Sequence, residues 1–133
     1  MPCFSGEYKP AWGPVANLGI AAPGTAAQGQ SRPFPALIDT GASSTCIAAS
    51  VADAIDVQPI GKQPMVSATG AEPVNQYIVD LVLPFSPPIV LPSLQVLEFV
   101  QAMPTAFQIL LGRDVLCQGV FTLNFDGTYV FCL

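Results

Sequence analysis

The 133-residue chain contains no histidine. That absence removes the serine and cysteine nucleophiles that depend on an imidazole base, together with zinc and non-haem iron sites built on histidine ligands. Charge is also scarce: four Lys and Arg stand against nine Asp and Glu, 10% of the residues carry charge, and the formal net charge is −5. No basic cluster exists to neutralise a run of phosphates, which argues against nucleic acid as a partner. The four cysteines, Cys3, Cys46, Cys117 and Cys132, show no CxxC pairing, so an all-cysteine zinc site is not expected and no metal or other cofactor is called for. No apolar run reaches the roughly 18 residues of a membrane helix before proline or charge interrupts it. Residues 1–14, with Pro2, Gly6, Pro10 and Pro14, lack the apolar stretch of a signal peptide. Free thiols and a cytoplasmic setting without a membrane segment are the expectations that follow.

What the chain has is apolar residues, 51% of the total, punctuated by 14 prolines and 11 glycines without a repeat. This is material for one core and short segments, so a single all-β domain over 1–133 is expected. Trp12, Pro14, Ala16, Leu18 and Ile20 alternate as in a half-buried strand, with Trp12 assigned to core or interface. A small, polar loop over 23–31, with no chemistry of its own, leads to the apolar run 34–38, and the two runs read as a hairpin. The segment 50–55 is Ala-rich and free of Gly and Pro, which predicts a short helix capped by Ser50. Over 64–84 two extended runs flank Ala68-Thr69-Gly70-Ala71, the signature of a long hairpin. A strand interrupted by Pro92 is expected over 89–100, and a buried one over 107–111. Residues 121–133 form a C-terminal hairpin around Asp126-Gly127, read as a type I′ turn. Strand after strand, the pattern is that of a small barrel or closed sheet system.

The sharpest feature is Leu37-Ile38-Asp39-Thr40-Gly41-Ala42-Ser43. A carboxylate at the end of a buried strand must be hydrogen-bonded or share its proton, and Gly41 lets backbone amides approach it. Taken alone, the motif fits an Asx-type turn as well as a catalytic acid. Some 70 residues later comes Ile109-Leu110-Leu111-Gly112-Arg113-Asp114, an apolar strand closed by glycine.

These two motifs, the hairpin around Thr69-Gly70 and the ending Thr122-Leu123-Asn124-Phe125 together resemble the retropepsin aspartic proteases, in that order and at similar intervals. The resemblance implies a closed antiparallel β-barrel with one or two short helices and a flap hairpin over 64–84, active as a symmetric homodimer on peptide or protein substrates. It makes Asp39 the catalytic acid, with Thr40 bracing the pair across the dimer axis and Gly41 beside the substrate backbone. Ala42, Ser43, Cys46, Val66, Ser67, Thr69, Gly70 and Leu110 become substrate-binding positions, Cys46 as a small hydrophobe at the pocket wall. Leu111, Gly112 and Arg113 become the structural motif that packs on the catalytic loop, with Asp114 a turn or helix-capping acid. Residues 1–14 are then an N-terminal extension, and 121–133 the dimer interface.

The chain departs from the pattern at Ser43, where retroviral relatives often carry an acid that meets the arginine of the Gly-Arg element. Arg113 therefore needs another partner, with Asp53, Asp114, Asp126 and the C-terminal carboxylate as candidates. The flap has a single glycine and is expected to be stiffer. These departures support the alternative of a catalytically weak or inactive peptide-binding or dimerisation module.

Overall fold

The computed structural model describes residues 1–67, 70–100 and 107–133, with the side chain of Ser67 outside that description. Among the described residues ten strands run in chain order: β1 Cys3–Lys9, β2 Gly13–Ala21, β3 Arg32–Ile38, β4 Cys46–Ala48, β5 Gly61–Ser67, β6 Gly70–Leu83, β7 Ile89–Phe99, β8 Ile109–Leu111, β9 Val120–Leu123 and β10 Thr128–Cys132. Two short helices, α1 Ala49–Ala54 and α2 Arg113–Leu116, follow β4 and β8. The protein is mostly β, as its punctuation by proline and glycine implies. Among the described residues no helix is long and apolar enough to cross a membrane.

The strands pair in the order β5-β6-β7-β4-β8-β3-β2-β1-β10-β9, and an additional β2–β6 pairing makes β6, β7, β4, β8, β3 and β2 a ring of neighbours. The sheet is mixed and not antiparallel throughout: β3 runs parallel to β8, and β4 parallel to β7. The first of these exceptions positions the site. Ile38 sits beside Leu111 in the β3–β8 register, so Asp39 and Gly112 leave the sheet side by side from the same end. The core beneath them is aliphatic, with Leu18, Ile20, Ile47, Val79, Leu81, Leu83, Val96, Ile109 and Leu111 all fully buried.

Several local expectations are corrected. Residues expected to be an N-terminal extension supply β1, whose antiparallel pairing with β10 sets Cys3 opposite Cys132. Those two cysteines form a disulfide, while Cys46 and Cys117 are free. The free-thiol argument for a cytoplasmic setting falls with that bond. Pairing of the first and last strands brings together residues 129 positions apart, a distance at which spacing carries no signal. Trp12 is 69% exposed, with the Lys9 ammonium 5.0 Å from its ring centroid, so it is not a core residue. Ser50 does not cap α1, whose N-cap position is Ala48; its hydroxyl accepts a hydrogen bond from Gln108 Nε2. The 124–127 turn has positive φ at Gly127 and not at Asp126, which rules out type I′. Asp126 Oδ1 instead accepts from the Thr128 hydroxyl and amide, and these bonds hold its carboxyl below the usual carboxylate range.

The loop after β2 also has chemistry that its sequence does not display. Asp80 is 2% exposed, and its Oδ2 accepts the amides of Gly24 (2.9 Å) and Ala26 (3.3 Å) while Oδ1 accepts that of Ser93 (3.0 Å). It lies at a bulge where Val79 pairs with Leu94 but Leu81 pairs with Leu91, so Pro92 and Ser93 oppose Asp80 alone. Pro92, which has no amide to give, falls where the ladder is already broken. One buried carboxylate thus ties the β2–β3 loop to β7. Asp80→Ala is expected to lower stability by about 3 kcal/mol, because hydrogen bonds to a buried carboxylate contribute roughly 1.5–3 kcal/mol each and part of that is recovered where water reaches the freed amides. Urea unfolding with an unchanged slope measures it, and a loss under about 0.5 kcal/mol would show that water replaces the carboxylate.

Candidate active site

Asp39 is the first residue beyond β3. Its amide donates to the Leu111 carbonyl (2.9 Å), which continues the β3–β8 ladder by one bond, and Ala42 N returns to the Asp39 carbonyl (3.2 Å) to close a tight turn. The Gly41 amide donates to Asp39 Oδ1 at 2.9 Å, which orients the carboxyl. The Asx-type turn and the catalytic reading are therefore compatible: the turn is how the carboxyl is held. Asp39 is half-buried, and Thr40, Gly41 and Ser43 are exposed.

Gly112 carries the other half of the arrangement. A Cβ built there would lie 2.6 Å from the Ser44 carbonyl carbon and 3.0 Å from the Ala42 carbonyl oxygen, so the two backbones touch. The need for glycine is steric, since its φ of −96° suits any residue. Around this contact Thr45, fully buried, donates its hydroxyl to Asp114 Oδ1 (2.7 Å) and its amide to Asp114 Oδ2 (3.0 Å), and its hydroxyl oxygen accepts the Gly112 amide (3.1 Å). Asp114 Oδ1 also accepts the Val115 amide (2.9 Å). Asp114 is thus bound across to the loop that follows Asp39, beyond the local turn role expected of it. Thr45 was missed as a site residue, although a hydroxyl six positions after the acid, among small residues, was the available cue.

Arg113 has found a partner that none of the candidate acids provides. Its amide donates to the Ala42 carbonyl and its guanidinium to the Thr40 carbonyl, each at 2.8 Å. The arginine braces the loop through backbone oxygens, so an acid at position 43 is not required for that task. Leu111 is buried beneath it.

Beside the loop lies a cleft of about 550 Å³. Ala42, Ser43, Cys46, Val66 and Leu110 line it, which brings five of the named substrate-binding positions together. Asp39 and Thr40 are not in its wall; Gly41 is, so the carboxyl stands at the cleft's edge. Thr69 lies outside the described residues, as does the Ser67 side chain. Gly70 pairs with Ser67 at the hairpin end with a φ of +132°, a conformation that favours glycine. The lining also includes Ser44, Met65, Leu97 and three glutamines, Gln63, Gln76 and Gln95, which the motifs did not single out. Cys46 is 5% exposed and gives its thiol to the Ser44 carbonyl (3.4 Å). Burial, with the charges of Asp114 and Asp39 adding, pushes that thiol up to about 11, so at neutral pH it is a protonated small hydrophobe. Among the described residues no group of three or more His, Cys, Asp or Glu is placed to hold a metal ion.

A family model described as aspartyl protease matches residues 22–115, which run from the β2–β3 loop into α2. The chain belongs to the aspartyl protease family. Its fold is retropepsin-like: it is similar to the crystal structure of a retropepsin-like aspartic protease from Rickettsia conorii, with a TM-score of 0.65 over 97% of this chain and 89% of that one, at 12% identity. No curated protein matches the chain.

The packing of Gly112 on the loop gives a direct test. Gly112→Ala is expected to cost about 1–3 kcal/mol, the usual range for forcing a methyl group into a filled site, and to move residues 42–44 relative to Asp39. Denaturant midpoints measure the first effect, and changed amide shifts for residues 42–44 the second. An unaltered midpoint with unaltered shifts would show that the contact is not tight.

Proposed function

We propose that this chain is an aspartic endopeptidase of retropepsin type that works as a homodimer. The observation that carries the reading is the position of Asp39. It sits at the exit of β3, oriented by the Gly41 amide, at the edge of a cleft, and 39–41 is the one Asp-Thr-Gly in the chain. A single carboxylate cannot supply both acid and base, so a two-fold axis must bring in the partner's Asp39.

Two carboxylates that close cannot both ionise, and the pair shares one proton. The charged member takes a proton from a water held between them as the water oxygen attacks the scissile carbonyl carbon. The protonated member gives its proton to the carbonyl oxygen, and a tetrahedral diol results. Its collapse transfers a proton to the amine nitrogen as the C–N bond breaks, and the dyad returns to its starting state. Thr40, exposed next to Asp39, is the bracing residue across the axis, and the β5–β6 hairpin is the flap over an extended peptide. The hairpin of 121–133, with β1 beside it, is the proposed interface; its edge strand β9 leaves Val120 and Leu123 exposed, and the turn after it exposes Phe125.

The alternative, a peptide-binding or dimerisation module without turnover, drew its support from the single flap glycine and from Ser43. The hold of Arg113 on the Thr40 carbonyl weakens the second of these, because the loop is braced without the missing acid. Cleavage of an unfolded protein, blocked by a transition-state mimic such as pepstatin, separates the two. Asp39→Asn is expected to abolish cleavage, by more than about 100-fold since the mutation removes an acid–base group, while the melting temperature changes little. Mutant activity above a few per cent would remove Asp39 from the catalytic role, and binding without cleavage by wild type would favour the module.

A further inference from the structure

One wall of the cleft is ordered chemically. Strand register places Gln76, Leu97, Cys46 and Leu110 in one row across β6, β7, β4 and β8, and all four line the cleft. Gln95 lies two residues before Leu97 on β7, and Gln63 pairs with Val74, two residues before Gln76, so both share the face of that row. The row thus runs from Leu110 through the buried Cys46 to Leu97, and then turns polar.

The polar end is a connected ladder. Gln63 Nε2 donates to Gln76 Oε1 (3.3 Å), and Gln76 Nε2 donates to Gln95 Oε1 (3.0 Å). Two bonds along three carboxamides leave an acceptor at one end, Gln63 Oε1, and a donor at the other, Gln95 Nε2. A reversal of all three amides exchanges those roles, so the ladder can meet a group that both donates and accepts. Neither Lys, Arg, Asp nor Glu is among the residues lining the cleft.

From this layout we infer that the cleft selects a substrate side chain with an aliphatic stem and an uncharged hydrogen-bonding end, glutamine foremost. The stem lies against Leu97, the apolar member of the row next to Gln76, and the carboxamide joins the ladder. A charged end would be desolvated with no counter-charge in the wall, and a purely aliphatic one would cover the amides without replacing their water. Asparagine has the right end and one methylene fewer to carry it past Leu97 to the ladder. This inference rests on the reading of the cleft as a protease's substrate site, and it deepens that reading by naming a substrate class.

Digestion of a proteome-derived peptide library, with products read by mass spectrometry, tests it. Glutamine is expected to be enriched about three- to tenfold at a fixed distance from the scissile bond, the range that one or two net hydrogen bonds supply. The Gln76→Leu, Gln95→Leu double variant should lose that enrichment and gain Leu and Met at the same position. Binding of a peptide array to the Asp39→Asn protein provides a readout that needs no turnover. Cleavage or binding without glutamine enrichment overturns the inference, as does a double variant with unchanged preference. Glutamine-selective binding without cleavage by wild type upholds the inference while the protease reading fails, and neither binding nor cleavage overturns both.

Discussion

Asp114 lies outside the cleft wall, yet the loop that carries Asp39 depends on it. Its two oxygens take the amide and hydroxyl of Thr45, and that hydroxyl in turn takes the Gly112 amide. Every donor in this knot is partly or fully buried, so losing the carboxylate would strand polar groups as well as remove bonds. The described residues contain no buried side-chain N or O atom without a hydrogen-bond partner. The knot works because β3 and β8 are parallel. Only then do 39–45 and 112–116 emerge at the same end of the sheet, where backbone can lie on backbone at Gly112.

Away from the site, two further ties act over long stretches of sequence. The Cys3–Cys132 bond fastens the two terminal strands, and Asp80 fastens the β2–β3 loop to the bulge in β7. The β5–β6 hairpin extends from β6 of the ring of strands.

Much of this was legible in the sequence because it is local. Alternation marked β2, the glycine after Leu111 marked the end of β8, and Asp-Thr-Gly marked the loop. The parallel pairings were not legible, since register between β3 and β8 is set by packing across some 70 residues. The same holds for the disulfide, for Asp80 and for the glutamine ladder, each of which joins residues on separate strands. A lone Asp within the apolar run of β6 was a visible anomaly, and burial of a carboxylate implies donors that lie elsewhere in the chain. Ser43 misled in the other direction: the expected acid is absent, but Arg113 reaches carbonyl oxygens on the loop and keeps its bracing task.

The proposal stands or falls on a shared active site, because one chain offers one such carboxyl. The most direct measurement is specific activity across a dilution series, with the monomer–dimer equilibrium followed by sedimentation under the same conditions. Activity per chain should fall in step with the dimer fraction, and wild type mixed with excess Asp39→Asn should lose activity as subunits exchange. Constant specific activity at concentrations where only monomer sediments would contradict the shared dyad.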